Sequence, residues 1–229
     1  MPTPFVSFDC DAFPFSNDRW DAQTVADLRS RVSGQATPPD YKSALVIGAG
    51  TLPFTLDVLP QTIYVADLDE TVVKGVIGRT KRVEVCTSWG DYRLKELAGN
   101  AKGIAELQIA TSTGLAGTFA DVREATKQVD LRPVIGNVVA ATGAIRESLE
   151  QAGQVLTYVN LTNVAEYLGR PVVRRATGGN PPTGRSVLAT MLSELPLSND
   201  AVICDSLAGL RPQLFDLEEY QHRFGFIEA

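Results

Sequence analysis

The sequence has very little histidine and cysteine, and each shortage excludes a class of chemistry. Its only histidine is His222, so Ser-His-Asp catalysis, Cys-His catalysis and multi-histidine metal sites would all depend on one side chain. Cys10, Cys86 and Cys204 lie far apart without a CxxC pair, which argues against a disulfide framework and structural zinc. We therefore expect a cytoplasmic protein that has no metal site.

Positive charge and long apolar runs are also scarce. The chain carries 21 basic and 27 acidic residues, a net charge of −6, and no dense Lys/Arg cluster of the kind that duplex binding requires. No uncharged apolar run approaches the roughly 18 residues of a transmembrane helix, and residues 1–18 lack the regions of a secretion signal. The expected partner is a small molecule, neither nucleic acid nor a membrane, and a homodimer is left open.

The first 42 residues differ in composition from the rest of the chain. They combine crowded phenylalanines and prolines with a helix predicted from about Asp21 to Val32 and a linker at Pro38-Pro39. We therefore divide the chain into an N-terminal cap segment, 1–42, and one domain, 43–229. Packing and a substrate lid are both open as roles for the cap.

From Ser43 onward, strand patterns alternate with helix patterns. The predicted strands are 44–47, 62–66, 82–86, 106–110, 154–159, 201–204 and 224–227. The predicted helices are 53–58, 70–77, 92–97, two within 118–151, 164–168, 186–195 and 217–222. This alternation is typical of an α/β fold with a doubly wound, mostly parallel sheet of about seven strands and helices on both faces. Ligands of such sheets bind at the carboxyl ends of the strands, where the strand order reverses.

The loop after the first predicted strand carries the clearest ligand signal. Gly48 and Gly50 allow a tight turn and a close backbone approach, and Asp67 closes the next strand 19 positions after Gly48. A carboxylate there can accept both hydroxyls of a ribose. Pro53, however, occupies the position of the third glycine in a dinucleotide fingerprint and removes a backbone donor that a pyrophosphate would use. The loop therefore favours an adenosine-type ligand over NAD.

A further acid follows the third predicted strand. Asp91 could accept a hydrogen bond from an exocyclic amine, with Trp89 offering an apolar face beside it. An alternative is that Asp91 caps the following helix. For Asp69 we favour such a cap over a ligand role, and we expect His222 on a solvated helix face.

These segments resemble the class I S-adenosylmethionine-dependent methyltransferases, which have a Rossmann-like fold, over about residues 43–229. "ALVIGAGTLP" looks like their first motif, "IYVADLDE" like the second, and "RVEVCTSWGDY" like the third. The resemblance implies that S-adenosylmethionine is the cofactor, with Gly48 and Gly50 at its methionine moiety and Asp67 at its ribose. It also implies that Trp89 and Asp91 border the adenine. "DLDETVV" is similar to aminopropyltransferases too, but Ala110 to Gly114 lack the catalytic aspartate of that family.

The acceptor is expected above the ends of the fourth and fifth predicted strands. Thr111, on the cofactor side, and Ser112, on the substrate side, would end the fourth strand. Tyr158 and Asn160 end the fifth, and strand alternation places them on one face, where they could act together in catalysis. Arg174 and Arg185 flank a Gly/Pro-rich loop and could hold an anionic substrate group, although a solvated connector has the same composition.

Together these features predict an S-adenosylmethionine-dependent enzyme acting on a small molecule, in the first instance a methyltransferase. Methyl transfer to a free amine or an enolate needs mainly in-line placement, which is compatible with the shortage of histidine. One alternative is other S-adenosylmethionine chemistry: cyclisation to a cyclic amino acid with release of methylthioadenosine, or transfer of an aminopropyl or 3-amino-3-carboxypropyl group. Another alternative is a non-catalytic nucleotide-binding or scaffold protein.

Overall fold

The computed structural model describes residues 19–48, 51–162, 164–165, 184–206 and 211–225. The strands in this part are β1 (Lys42–Ile47), β2 (Thr62–Asp67), β3 (Asp130–Ile135), β4 (Val155–Asn160), β5 (Leu197–Ser206) and β6 (Pro212–Phe215). The α-helices in this part are α1 (Ala22–Ser33), α2 (Leu52–Thr55), α3 (Glu70–Arg82), α4 (Trp89–Glu96), α5 (Ala101–Thr113), α6 (Phe119–Gln128), α7 (Val138–Ala152), α8 (Gly184–Ser193) and α9 (Leu217–Phe224). Short 3-10 turns cover Pro39–Tyr41 and Val83–Val85.

The six strands form one sheet in the order β3-β2-β1-β4-β5-β6. β1 pairs in parallel with both β2 and β4, β2 with β3, and β4 with β5, whereas β6 runs antiparallel to β5. The chain moves outward from β1 to β3 and then returns to β4 beside β1. The order therefore reverses between β1 and β4, and their carboxyl ends flank the crevice where doubly wound sheets bind ligands.

Helices cover both faces of the sheet, and each face has its own apolar core. Alternate residues of β1 point to opposite sides: Ala44 and Val46 pack with α1 to α6, and Leu45 and Ile47 pack with α7 to α9. The fold is thus α/β, doubly wound and mostly parallel, with helices on both faces, as the sequence predicts. The sheet has six strands within the described residues, against about seven predicted.

The predicted helix of the cap segment is α1, which begins at its N-cap Asp21 and buries Val25, Leu28 and Val32. Arg29 joins α1 to the first core: its guanidinium donates to Asp57 at 2.7 Å and to the carbonyl of Leu115 at 2.7 Å. Past the end of α1, Gln35 donates to the carbonyl of Thr157 at 2.5 Å. α1 is therefore packing structure, while residues 1–18, which carry the aromatic start, lie outside the described residues. The boundary at residue 42 stays a prediction.

Two predicted strands are wrong, because the buried residues of both segments recur at helical spacing. Residues 82–86 end α3 and form a 3-10 turn, in which Val83 and Cys86, three positions apart, are buried while Val85 is 70% exposed. Residues 106–110 lie within α5, whose buried positions 103, 106, 107 and 110 follow a helical spacing. Glu106 disguised that spacing, since it is a charged residue at a core position, 3.9 Å from Arg79.

The sequence analysis missed two strands, β3 and β6, because neither contains a run of apolar residues. β3 is a largely exposed edge strand that contains Pro133, a position where a missing N–H is tolerated. β6 has only four residues. The strand predicted at 224–227 is also wrong at its start, because Phe224 ends α9; residues 226–227 lie outside the described residues.

Candidate functional site

The turn after β1 lies at the crevice between β1 and β4. Gly48 has a φ of +67°, a conformation that side chains disfavour, and its amide donates to the carbonyl of Ala66 at 3.1 Å. A Cβ placed on Gly48 would come no closer than 4.0 Å to its nearest neighbour, the carbonyl of Thr162 beyond β4. Glycine is thus favoured by the backbone conformation, and a side chain at this position would meet no steric clash with Thr162. Gly50 lies outside the described residues.

Asp67 ends β2 beside this turn, as predicted. Its Oδ1 accepts the amide of Asp69 at 2.9 Å, which uses only part of the acceptor capacity of the carboxylate. Burial, followed by the charge of Asp69, raises the pKa of Asp67 above its ordinary value. A poorly solvated carboxylate with acceptor capacity to spare is suited to receiving hydroxyl donors from a ligand.

The residues beside Asp67 on β3 were not predicted. Ile135 pairs with Asp67 across the sheet, and the amide of Gly136 donates to the carbonyl of Asp67 at 2.9 Å. Ile135 is 50% exposed and Leu68 is 53% exposed, so one exposed apolar residue pairs with Asp67 on the neighbouring strand and another follows it in the chain. The available signal was the apolar pair before Gly136-Asn137, a strand followed by a turn, which the surrounding helix patterns obscured.

β4 places Asn160 at the other side of the crevice. Asn160 pairs with Val46 of β1 and Cys204 of β5, and its Oδ1 accepts the amide of Thr162 at 2.9 Å. This side chain therefore shapes the turn that faces Gly48. Tyr158 lies two residues deeper in the strand and is 3% exposed, in the same core cluster as Trp20 and Leu28 of the cap segment. The structure gives Tyr158 a packing role, and a contact with the acceptor stays a prediction.

Trp89 and Asp91 do not follow a strand. Trp89 opens α4, stacks edge-on against Phe54 and Phe119, and donates its indole N–H to Gly117 at 3.2 Å. Asp91 lies in the first turn of α4, where it accepts the amide of Thr87 at 2.9 Å and the ammonium of Lys95 at 3.0 Å.

The hydrogen bond from Lys95 lowers the pKa of Asp91. Asp91 therefore lies at a helix start, but the N-cap of α4 is Ser88, whose hydroxyl accepts the amide of Asp91 at 3.0 Å, so the prediction that Asp91 caps this helix is wrong. The strand-end placement of both Trp89 and Asp91 is wrong.

Thr111 and Ser112 are also misplaced by the sequence prediction. Both are exposed in the last turn of α5, and their hydroxyls donate to the carbonyls of Leu107 and Ile109 at 2.8 and 3.1 Å. They end a helix instead of a strand, because residues 106–110 are helical. No described contact joins either residue to the crevice.

Arg185 is engaged within the protein. It lies in the first turn of α8, where Nε donates to Asp205 at 2.9 Å and Nη2 donates to the carbonyl of Ser206 at 2.8 Å. Asp205 is fully buried near the carboxyl end of β5 and was missed, because a single acid in an apolar strand gives no pattern. Arg174 lies outside the described residues.

Two minor assignments can be checked directly. Asp69 is the N-cap of α3, with its carboxylate accepting the amide of Thr71 at 2.7 Å, as predicted. His222 is exposed in the last turn of α9, also as predicted. Across the described residues, no group of three or more His, Cys, Asp or Glu side chains is arranged to hold a metal ion. None of the helices in that part of the chain is long and apolar enough to cross a membrane.

These observations define the chain as an α/β protein with an open, doubly wound sheet whose strand order reverses between β1 and β4. Among solved structures it is similar to the rRNA methyltransferase aviRa from Streptomyces viridochromogenes, with a TM-score of 0.47 and 12% sequence identity. That similarity covers 95% of this chain and 91% of the other. No protein-family model and no curated protein matches the sequence. The fold assignment therefore rests on the strand order and register of the chain itself.

Proposed function

We propose that this chain binds S-adenosylmethionine at the carboxyl ends of β1, β2 and β4 and transfers its methyl group to a small molecule. The observation that carries the proposal is the pairing of an obligatory glycine turn with Asp67 at the end of the adjacent strand. Such a pair offers a close backbone approach and a hydroxyl acceptor side by side. A nucleoside needs both.

The start of α2 favours an adenosyl ligand over a dinucleotide. α2 has only four residues, with the buried Pro53 in its first turn. A helix this short has little dipole, and proline removes one of the free amides that would receive a pyrophosphate. A sulfonium nucleoside carries no phosphate and makes no such demand on the loop.

Asp67 and its exposed neighbours match the two halves of a nucleoside. The carboxylate would accept the ribose hydroxyls, and Leu68 and Ile135 would provide apolar surface for the base. Charge-assisted hydrogen bonds of this kind contribute about 1.5–3 kcal/mol each. The resulting affinity would depend on the carboxylate more than on any other described side chain of the edge.

The remaining task of the site is to position the cofactor and the acceptor relative to each other. Asn160 fixes the turn through Thr162 opposite Gly48, so it would position the methionine end of the cofactor and the incoming acceptor. Methyl transfer gains most of its rate from holding the nucleophile in line with the sulfonium methyl, which requires no histidine. The acidic balance of the chain, net −6, favours a small acceptor over a polyanion.

Product analysis tests this proposal. The protein is incubated with S-adenosylmethionine alone, with a small-molecule cell fraction and with total RNA, and the products are identified by mass spectrometry. We expect S-adenosylhomocysteine in the small-molecule arm, and no turnover with Asp67→Ala. Methylthioadenosine from S-adenosylmethionine alone would instead establish the cyclisation chemistry. Methyl groups on RNA would contradict the small-molecule acceptor, and absence of any product with wild-type protein would contradict the transfer.

A further inference from the structure

Asp205 is a fully buried carboxylate near the carboxyl end of β5, where the proposed acceptor would bind. Its neighbour Cys204 pairs with Asn160 across the sheet, and the carbonyl of Cys204 accepts the amide of Leu161 at 2.7 Å. Asp205 therefore lies at the same edge of the sheet as Asn160, one residue further along β5, with its side chain on the opposite face, against α8 and α9. The proposed function does not employ this group.

The two hydrogen bonds that side chains donate to Asp205 arrive at one oxygen. Arg185 Nε donates to Oδ2 at 2.9 Å, and the hydroxyl of Tyr220 donates to the same Oδ2 at 3.2 Å. Burial raises the pKa of Tyr220, so its hydroxyl keeps its proton and remains a donor. Oδ1, by contrast, is buried and accepts no hydrogen bond in the structure. A buried acceptor without a donor is costly and calls for a specific explanation.

The arrangement around Asp205 is held firmly. Arg185 also donates to the carbonyl of Ser206 at 2.8 Å, and its guanidinium lies over the ring of Phe224, 5.5 Å from the centroid. Just before Arg185, the backbone of Gly184 approaches that of Ala165 so closely that a Cβ on Gly184 would come within 2.0 Å of the Ala165 carbonyl oxygen. The first turn of α8 is thus fixed against the segment that follows β4, and the unused oxygen has a fixed position.

The charge at this position decides what it can receive. Asp205 and Arg185 form an ion pair, so the pair as a whole is neutral, and an ammonium group would be repelled by the adjacent guanidinium. A neutral donor experiences no such repulsion. The Arg185 side chain is 21% exposed, whereas the Asp205 side chain is fully buried, so a donor would approach Oδ1 from beside the guanidinium.

We propose that Oδ1 of Asp205 receives a neutral N–H or O–H donor of the acceptor molecule, such as a hydroxyl, amide or ring N–H. This inference rests on the proposed function and narrows its substrate class. Asp205 is then a specificity-determining residue: it favours acceptors with a neutral donor and disfavours both ammonium groups and molecules that carry only acceptor atoms there.

Asp205→Asn reverses the polarity of this position without changing its shape. Arg185 and Tyr220 both donate to the Oδ2 position, so the asparagine must place its carbonyl oxygen there and its NH₂ group at the Oδ1 position. The variant therefore offers a donor where the wild-type protein offers an acceptor. Tyr220→Phe is the matched control, because it removes a donor to Oδ2 and leaves Oδ1 unchanged.

The experiment uses probe pairs that differ only in the donor: phenol against anisole, and N-methylacetamide against N,N-dimethylacetamide. Binding is followed by NMR through the Arg185 Nε–H signal and the backbone amides of 205 and 206, with and without S-adenosylhomocysteine. In wild-type protein we expect the donor probe of each pair to bind roughly tenfold to 100-fold more tightly, the factor for one hydrogen bond to a charged group. Asp205→Asn should abolish or reverse that preference, and Tyr220→Phe should keep it.

Equal binding within the pairs in wild-type protein overturns the inference, whether or not Asp205→Asn folds. A preference that survives in a folded Asp205→Asn variant also overturns it. Calorimetry with S-adenosylhomocysteine separates this result from the proposed function. Failure to bind that ligand contradicts the cofactor assignment, while the probe pairs on the unliganded protein still decide the role of Asp205.

Discussion

The amide of Gly48 donates to the carbonyl of Ala66 at 3.1 Å, which joins the turn after β1 to the residue preceding Asp67. This contact fixes the two features of the proposed adenosyl site relative to each other. Because Gly48 can be replaced only at the cost of backbone strain, and Asp67 carries an incompletely used carboxylate, each makes a separable prediction.

Asp67→Ala should weaken S-adenosylhomocysteine binding far more than Asp69→Ala. The first variant loses charge-assisted hydrogen bonds to ribose, worth roughly 1.5–3 kcal/mol each. Asp69 caps α3 through the amide of Thr71, so its loss should lower the free energy of unfolding by about 1 kcal/mol and leave affinity nearly unchanged. Calorimetry and chemical denaturation of both variants check this, and equal dissociation constants would contradict the assignment of Asp67.

Asp67→Asn should stabilise the unliganded protein at neutral pH. The folded state raises the pKa of Asp67 through burial and the charge of Asp69, so ionisation costs stability. That cost develops as the pH rises from the ordinary aspartate pKa through the raised value. The melting temperature of Asp67→Asn should therefore exceed that of wild-type protein at neutral pH, with the difference vanishing below the ordinary aspartate pKa. If the difference in melting temperature did not change with pH, the ionisation of Asp67 would not be the cause of the destabilisation.

Gly48→Ala should destabilise the protein by about 1–2 kcal/mol, because alanine is disfavoured at a φ of +67°. The nearest atom to the new Cβ lies 4.0 Å away, so the cost is conformational and not steric. The affinity for S-adenosylhomocysteine should fall with it. Gly78→Ala in α3 is the control: its Cβ meets nothing within 4 Å, and replacing glycine in a helix should stabilise by about 0.5–1 kcal/mol. Urea denaturation of the two variants should give opposite signs.

Asn160→Ala should lower turnover by roughly 10- to 100-fold through misplacement of the reacting groups, with cofactor affinity kept within a few-fold. The structural reason is the loss of the hydrogen bond to Thr162, whose carbonyl faces Gly48. Tyr158→Phe should also lower turnover and leave cofactor affinity within a few-fold. His222→Ala, at an exposed position of α9, should change neither quantity. If His222→Ala abolished activity while Asn160→Ala kept full activity, the catalytic site would lie elsewhere.

The sequence predicts the fold well wherever strands are buried on both faces. β1, β2 and β4 are mostly apolar, and their burial in the centre of the sheet makes pattern and structure agree. The failures lie elsewhere. β3 is an exposed edge strand with a proline, so it has no apolar pattern to read, and Glu106 hides a helical repeat by placing a charge in the core.

The same physics explains which site residues could be predicted. Gly48 and Asp67 are adjacent to correctly predicted strands, so their placement at the carboxyl edge is confirmed. Four other site residues were predicted at the ends of strands that are helical or turn segments in the structure: Trp89, Asp91, Thr111 and Ser112. Leu68, Ile135 and Asp205 depend on tertiary neighbours, which local periodicity does not encode.

The most direct test of the central claim is calorimetric titration of wild-type protein with S-adenosylhomocysteine, S-adenosylmethionine and NAD under identical conditions. The account predicts binding of both adenosyl ligands, abolished or strongly weakened by Asp67→Ala, and no comparable binding of NAD, because Pro53 lies in the first turn of α2. Binding of NAD in preference to both adenosyl ligands would contradict it.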